Sequence, residues 1–209
     1  MEEGGGMNLY ETALNDLIDQ ADYLGFLTVG ADLSILRKEA TSWRAKGWQF
    51  APNLLTAFYM KSGGYTPSKY DIDLIKNSDE YRKAAQKEFE SVYKTTIGTG
   101  ASGGRVAIAK GRSKGPYAFE PNYTSGELFY ALGGAHFYYT GYMIYCSYGH
   151  RWFANVTMTQ EDFYTFAPTG PFGVRLLFEA YAAANELQTT YGYLPFWHSE
   201  TWNDKFYDK

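Results

Sequence analysis

Between Leu128 and His150 the chain carries no aspartate, glutamate, lysine or arginine, and this uncharged run constrains the fold more than any other feature. It is long enough to cross a bilayer as a helix. Yet it is interrupted by glycines, holds His136 and His150, and is rich in tyrosine and phenylalanine, residues that favour a pleated, half-buried surface. Its apolar positions recur with period 2 rather than 3.6. The run is therefore read as an amphipathic hairpin. Ala135, Phe137, Tyr139, Gly141 and Met143 lie on one face, and His136, Tyr138, Thr140, Tyr142 and Ile144 on the other. Tyr148-Gly149 supplies the turn. The return strand alternates Trp152, Ala154, Val156 and Met158 against Phe153, Asn155, Thr157 and Thr159.

The rest of the chain divides by periodicity. Helical spacing predicts helices from about 8 to 24, from Asp32 as a cap to Gly47, from Pro52 in a first turn to Gly63, and from Asn77 to near Lys94. The last of these turns Tyr81, Ala85, Phe89, Val92 and Tyr93 to the core. Gly98-Thr-Gly-Ala-Ser-Gly103 has the letters of a dinucleotide fingerprint without the strand before it or the helix after it, so it reads as a joint. Past it come a strand at 105–110, the hairpin, a helix over 172–188 and a last strand within 191–202. The expected class is α+β: a helical N-terminal lobe (1–97), a Gly-rich joint (98–104) and an antiparallel β-rich C-terminal lobe (105–209) with one late helix.

A formal charge of −4 argues against nucleic acid as a partner, since phosphate backbones need a concentrated basic surface. One cysteine, Cys146, excludes an intramolecular disulfide and a multi-cysteine zinc site. No nucleotide or organic cofactor is expected.

Acidic residues bracket the uncharged run, Glu127 before it and Glu161-Asp162 after the return strand. A hairpin folds its ends together, so Glu127 and Asp162 are candidates to hold a divalent cation (Ca or Mg) or to act as an acid/base pair. Asp71 and Asp73, two apart, would share a face in extended chain and add to such a site; the alternative is a helix start that one of them caps. His136 is a candidate general acid or base if its face lines a cleft. His150-Arg151, at the turn end, is a candidate phosphate contact.

Four segments carry a resemblance to a known family: Trp48-Gln-Phe-Ala-Pro-Asn-Leu-Leu55, Ser78-Asp-Glu-Tyr81, Glu127-Leu-Phe-Tyr-Ala-Leu-Gly-Gly134 and Asp162-Phe-Tyr-Thr-Phe166. Together with Gly141 they make the chain resemble the C-terminal toxin domains of bacterial polymorphic and contact-dependent toxins, including those similar to lipid II-cleaving toxins. Glu127 stands where that pattern has Asp, and Thr165 where it has a second Asp. The resemblance implies an antibacterial, metal-assisted hydrolase of a phosphate-containing envelope lipid such as lipid II, secreted or delivered to the target cell envelope. It also implies a cognate immunity protein and peripheral membrane contact. In that reading Asp162 and Glu127 hold the cation, Tyr164 orients the site, and His136 or His150 protonates the leaving group. Two other readings are a membrane-permeabilising domain that inserts 128–150 and an aromatic-rich glycan-binding module.

Overall fold

The computed structural model describes residues 29–98, 102–111, 117–133, 135–146, 148–149, 151–166 and 179–208. The helix expected at 8–24 lies outside them, as do His150 and the middle of the Gly-rich joint. The described elements are a helix over 29–45 (α1), α2 (Phe50–Tyr59), α3 (Lys69–Asn77), α4 (Asp79–Ile97), β1 (Gly103–Lys110), α5 (Gly126–Leu132), β2 (His136–Cys146), β3 (Arg151–Tyr164), α6 (Glu179–Thr189) and β4 (Phe196–Tyr207). The four strands form one antiparallel sheet in the order β1-β2-β3-β4. The class is α+β, with helices mostly N-terminal, strands C-terminal and one late helix.

The chain divides into two compact units, a larger one of residues 40–165 and 194–209 and a smaller one of 1–39 and 166–193. The sheet and α2–α5 belong to the larger. Its core forms where α4 lies on the sheet face that the alternation marks as apolar. Phe137, Tyr139, Met143, Trp152, Ala154, Val156 and Met158 are all buried. From α4, Tyr81 packs its ring on Phe137 (5.3 Å between centroids) and Trp202 (5.9 Å), and Phe89 on Phe206 (4.8 Å) and Tyr139 (4.9 Å). Polar tips on these rings are matched: Tyr81 donates to Asp204 (2.9 Å), which also pairs with Arg82 (3.1 Å), and Tyr139 donates to Glu88 (3.0 Å), which pairs with Lys110 (2.9 Å).

Local signals explain the helix starts. Ser78 caps α4 through Tyr81 N, and Ser68 with Asp71 forms a reciprocal capping box on α3. Asp32, expected as a cap, lies inside α1, because the helix already includes residues 29–31. The uncharged run 128–150 is shared between the end of α5, strand β2 and the following turn. No helix among the described residues is long and apolar enough to cross a membrane. Gly141 has a steric reason: a Cβ there would overlap the backbone oxygen of Asn155 and stand 2.8 Å from Val156 Cα.

In the smaller unit Phe166 N donates to Gln188 of α6 and its ring meets Tyr181 edge-on. Asp32 is buried there, and burial followed by the charge of Glu186 holds its carboxyl above the usual range.

Three expectations follow. Phe89→Ala should cost about 3–5 kcal/mol, the usual range for emptying a buried aromatic site, read from the urea midpoint. Gly141→Ala should also lower that midpoint, because the strand backbone must move to admit a methyl. For Asp32, a raised folded-state value means the native chain binds more protons than the unfolded one, so stability falls as pH rises through that interval. Asp32→Asn should flatten this slope and raise the melting temperature at neutral pH.

Candidate functional site

Glu127 opens α5, and its carboxylate is buried. The preceding Gly126 has a left-handed φ of 74°, which turns the chain into the helix. Helix α2 has no side-chain cap of its own at Gln49. Glu127 supplies one from a distance: Oε1 accepts from the backbone N of Gln49 (2.6 Å), Phe50 and Ala51 (3.3 Å), and Oε2 accepts from the Tyr70 hydroxyl (3.1 Å). An anion on the first-turn N–H groups of a helix is favoured by both hydrogen bonding and the helix dipole. Both oxygens are thus occupied by donors, which leaves Glu127 badly suited to hold a cation.

Asp162 lies at the open end of the β2–β3 hairpin, cross-strand from His198 of β4. Its Oδ1 accepts from Phe163 N (2.9 Å), and Oδ2 stands 3.6 Å from His198 Nε2. His198 is only 2% exposed, and neither ring nitrogen has a hydrogen-bond partner. The Phe50 ring meets the imidazole edge-on at 6.0 Å. The two bracketing acids therefore belong to one neighbourhood without facing each other: Phe50 and His198 stand in the sequence of contacts between them.

The remaining candidates spread apart. Asp71 is buried at the start of α3, where Oδ2 accepts from Ser68 N (2.6 Å) and Tyr65 hydroxyl (2.7 Å), whereas Asp73 is exposed. Both lie in a helix, where residues two apart point to different sides, so the shared face of an extended chain does not arise. Tyr164 is buried against Phe196, ring centroids 5.5 Å apart. Arg151 pairs with Cys146 at the turn end. Eleven residues of strand at about 3.3 Å each put it roughly 35 Å from Asp162. His150 is outside the described residues. Among those described, no group of three or more His, Cys, Asp or Glu side chains could hold a metal ion. The calcium or magnesium site expected of Glu127, Asp162, Asp71 and Asp73 does not match this donor set.

His136 finds better company. It begins β2 and stacks face to face on Tyr117, 4.2 Å between ring centroids and 9° between planes. Its Nε2 is 3.9 Å from Glu120 Oε2. Residues 117–120 reach it through an isolated antiparallel bridge between Phe119 and Phe137, with Ala118 N donating to Phe137 O and Phe137 N to Phe119 O. The Tyr117 hydroxyl is pushed up by its hydrogen bond to Glu120 and by that carboxylate's charge. Glu120 also lines an open cavity of about 630 Å³ with Glu80, Lys83, Lys87, Glu88 and Asn122. Lys83 and Lys87, one helical turn apart on α4, are both exposed.

Comparison with protein families, curated proteins and solved structures finds no match. The site must be judged by its own chemistry. Sequence reasoning named His136 and Asp162 but missed Glu120, Tyr117, Lys83, Lys87 and His198. The inward register of His198 on the last strand was the one signal available for it.

The cap gives a direct test. Glu127→Ala strands buried N–H donors on α2 and removes the acceptor for Tyr70, so it should destabilise the fold by about 2–4 kcal/mol. Glu127→Gln, which keeps one acceptor oxygen, should recover part of this in urea denaturation.

Proposed function

We propose that this chain is an antibacterial toxin domain that hydrolyses a phosphate-bearing envelope lipid, with the chemistry at His136 and Glu120. The observation that carries the reading is the His136–Glu120 pair, whose carboxylate residue also lines a cavity bearing the exposed Lys83 and Lys87. Neutral His136 takes a proton from water as that water attacks phosphorus, and Glu120 stabilises the imidazolium that forms. The P–O bond to the leaving group then breaks, and the imidazolium returns its proton to the departing oxygen. Lys83 and Lys87 neutralise the non-bridging phosphate oxygens, and Tyr117 holds the imidazole plane. At the same end of the sheet Phe163 and Trp197 form an exposed aromatic pair, centroids 4.9 Å apart, suited to a lipid headgroup surface. Delivery to the target envelope and a cognate immunity protein accompany this reading through the family resemblance.

His136→Ala and Glu120→Gln should each reduce turnover of a lipid-linked pyrophosphate about 10²–10⁴-fold with an unchanged urea midpoint. Lys83→Ala/Lys87→Ala should act mainly on KM. Killing by periplasmic but not cytoplasmic expression, abolished by His136→Ala, is the expected cellular result. Full toxicity of that variant contradicts the assignment.

The outer sheet face favours a second reading. Thr159 bonds Thr201 and Thr157 bonds Asn203, in a row of small polar groups between the Phe163–Trp197 pair and the Phe153–Tyr207 register pair. Such a surface suits glycan stacking and hydrogen bonding. Retention on immobilised peptidoglycan with no turnover would favour it.

A further inference from the structure

We infer that the free edge of β1 docks an extended, acidic segment of a partner protein, taken on as an added strand of the sheet. The inference is independent of the hydrolase reading and uses none of its residues. The two outer strands of the sheet end differently. Along β4, side chains close the edge: Lys76 Nζ donates to Asn203 O (3.3 Å) and Gln86 Nε2 to Tyr207 O (3.2 Å). Among the described residues nothing does this for β1, which pairs with β2 alone.

The register says which groups are bare. Phe137 exchanges its backbone N–H and C=O with Ala118 and Phe119, so odd-numbered residues of β2 turn these groups toward the β1 side. Val106 lies opposite Met143 and Ile108 opposite Gly141, and these two therefore bond to β2. Arg105, Ala107 and Ala109 turn their N–H and C=O groups the other way, and all three are exposed. Such an edge is a template for another strand. An added strand would continue the inner face beside Val106 and Ile108 with apolar side chains, and the outer face beside Arg105 with polar ones. β1 carries Arg105 and Lys110 and no acid, in a chain whose formal charge is −4. Lys110 is paired with Glu88 (2.9 Å), which leaves Arg105 to meet the partner. The Arg105 guanidinium lies over the Tyr142 ring at 3.8 Å, which fixes its plane and leaves its N–H edge for a carboxylate. A second copy of β1 would bring like charges together instead.

The test is amide exchange and two-dimensional NMR of the full chain, titrated with a capped peptide alternating valine and glutamate over eight residues, the length of β1. In the free chain the amides of Arg105, Ala107 and Ala109 should exchange faster than those of Val106 and Ile108. The acidic peptide should bind saturably and slow those three about tenfold. A valine–lysine peptide of equal length should not bind. Arg105→Glu should weaken the acidic peptide about tenfold with native far-UV circular dichroism. Ala107→Pro removes an outward N–H without breaking a bond to β2 and should abolish binding. Because proline can distort the strand, an acidic peptide N-methylated at alternate residues probes the same bonds on the unaltered chain, and it should not bind. The proposal is overturned by no saturable binding of the acidic peptide, by equal binding of the lysine or N-methylated peptide, or by edge amides as protected in the free chain as their neighbours. Protection that rises with protein concentration would assign the edge to a second copy and overturn it too.

Discussion

The Glu127 carboxylate on the first turn of α2 is the contact on which the open end of the sheet depends. It joins α5, α2 and, through Tyr70, α3. By fixing the Phe50 backbone it also sets the ring that closes over His198. Three first-turn N–H groups left bare in a partly buried setting would each seek water, so α2 could not seat against α5. Glu127 thus bears on one side of His198 through a single intervening residue, Phe50.

The alternation of β2 and β3 was legible because a sheet with one face on a helix forces period 2, and every residue assigned to the apolar face between Phe137 and Met158 is buried or close-packed. The α4 face was legible for the same reason at period 3.6. The role of Glu127 was not, since its partners are 76–78 residues away and a carboxylate before an apolar run looks the same whether it faces a cation or a helix terminus. Helix α5 is seven residues long, too short for a periodic signal, so it was absorbed into the approach to the hairpin. A helix start at Asp71 was legible because the capping signal is local, but the cap is Ser68, with Asp71 as its reciprocal partner three residues on.

His136 and Asp162 come from neighbouring rows at one end of the sheet, His136 opposite Glu161 and Asp162 opposite His198. Successive side chains on a strand point to opposite faces, so a single residue step sends one imidazole toward the edge segment 117–120 and the other inward beneath Phe50. The two imidazoles therefore lie on opposite faces of the same end of the sheet.

The tyrosine excess explains which acids remain available for chemistry. Tyr65, Tyr70, Tyr81 and Tyr139 each donate to a carboxylate, on Asp71, Glu127, Asp204 and Glu88 in turn. Burial, together with the carboxylate alongside, pushes every one of these hydroxyls up, so each stays a protonated donor at physiological pH. A phenol provides both apolar area and a hydrogen bond for an anion, which lets acids be placed inside the unit without a lysine or arginine for each. Acids bound in this way belong to the scaffold, whatever their spacing suggests. Glu120 also accepts from a phenol, Tyr117, but it stands 3.9 Å from the imidazole of His136 as well, and Asp162 stands 3.6 Å from that of His198. A neighbouring imidazole, more than proximity to the uncharged run, distinguishes Asp162 and Glu120 from the acids held by phenols, cations and backbone N–H groups alone.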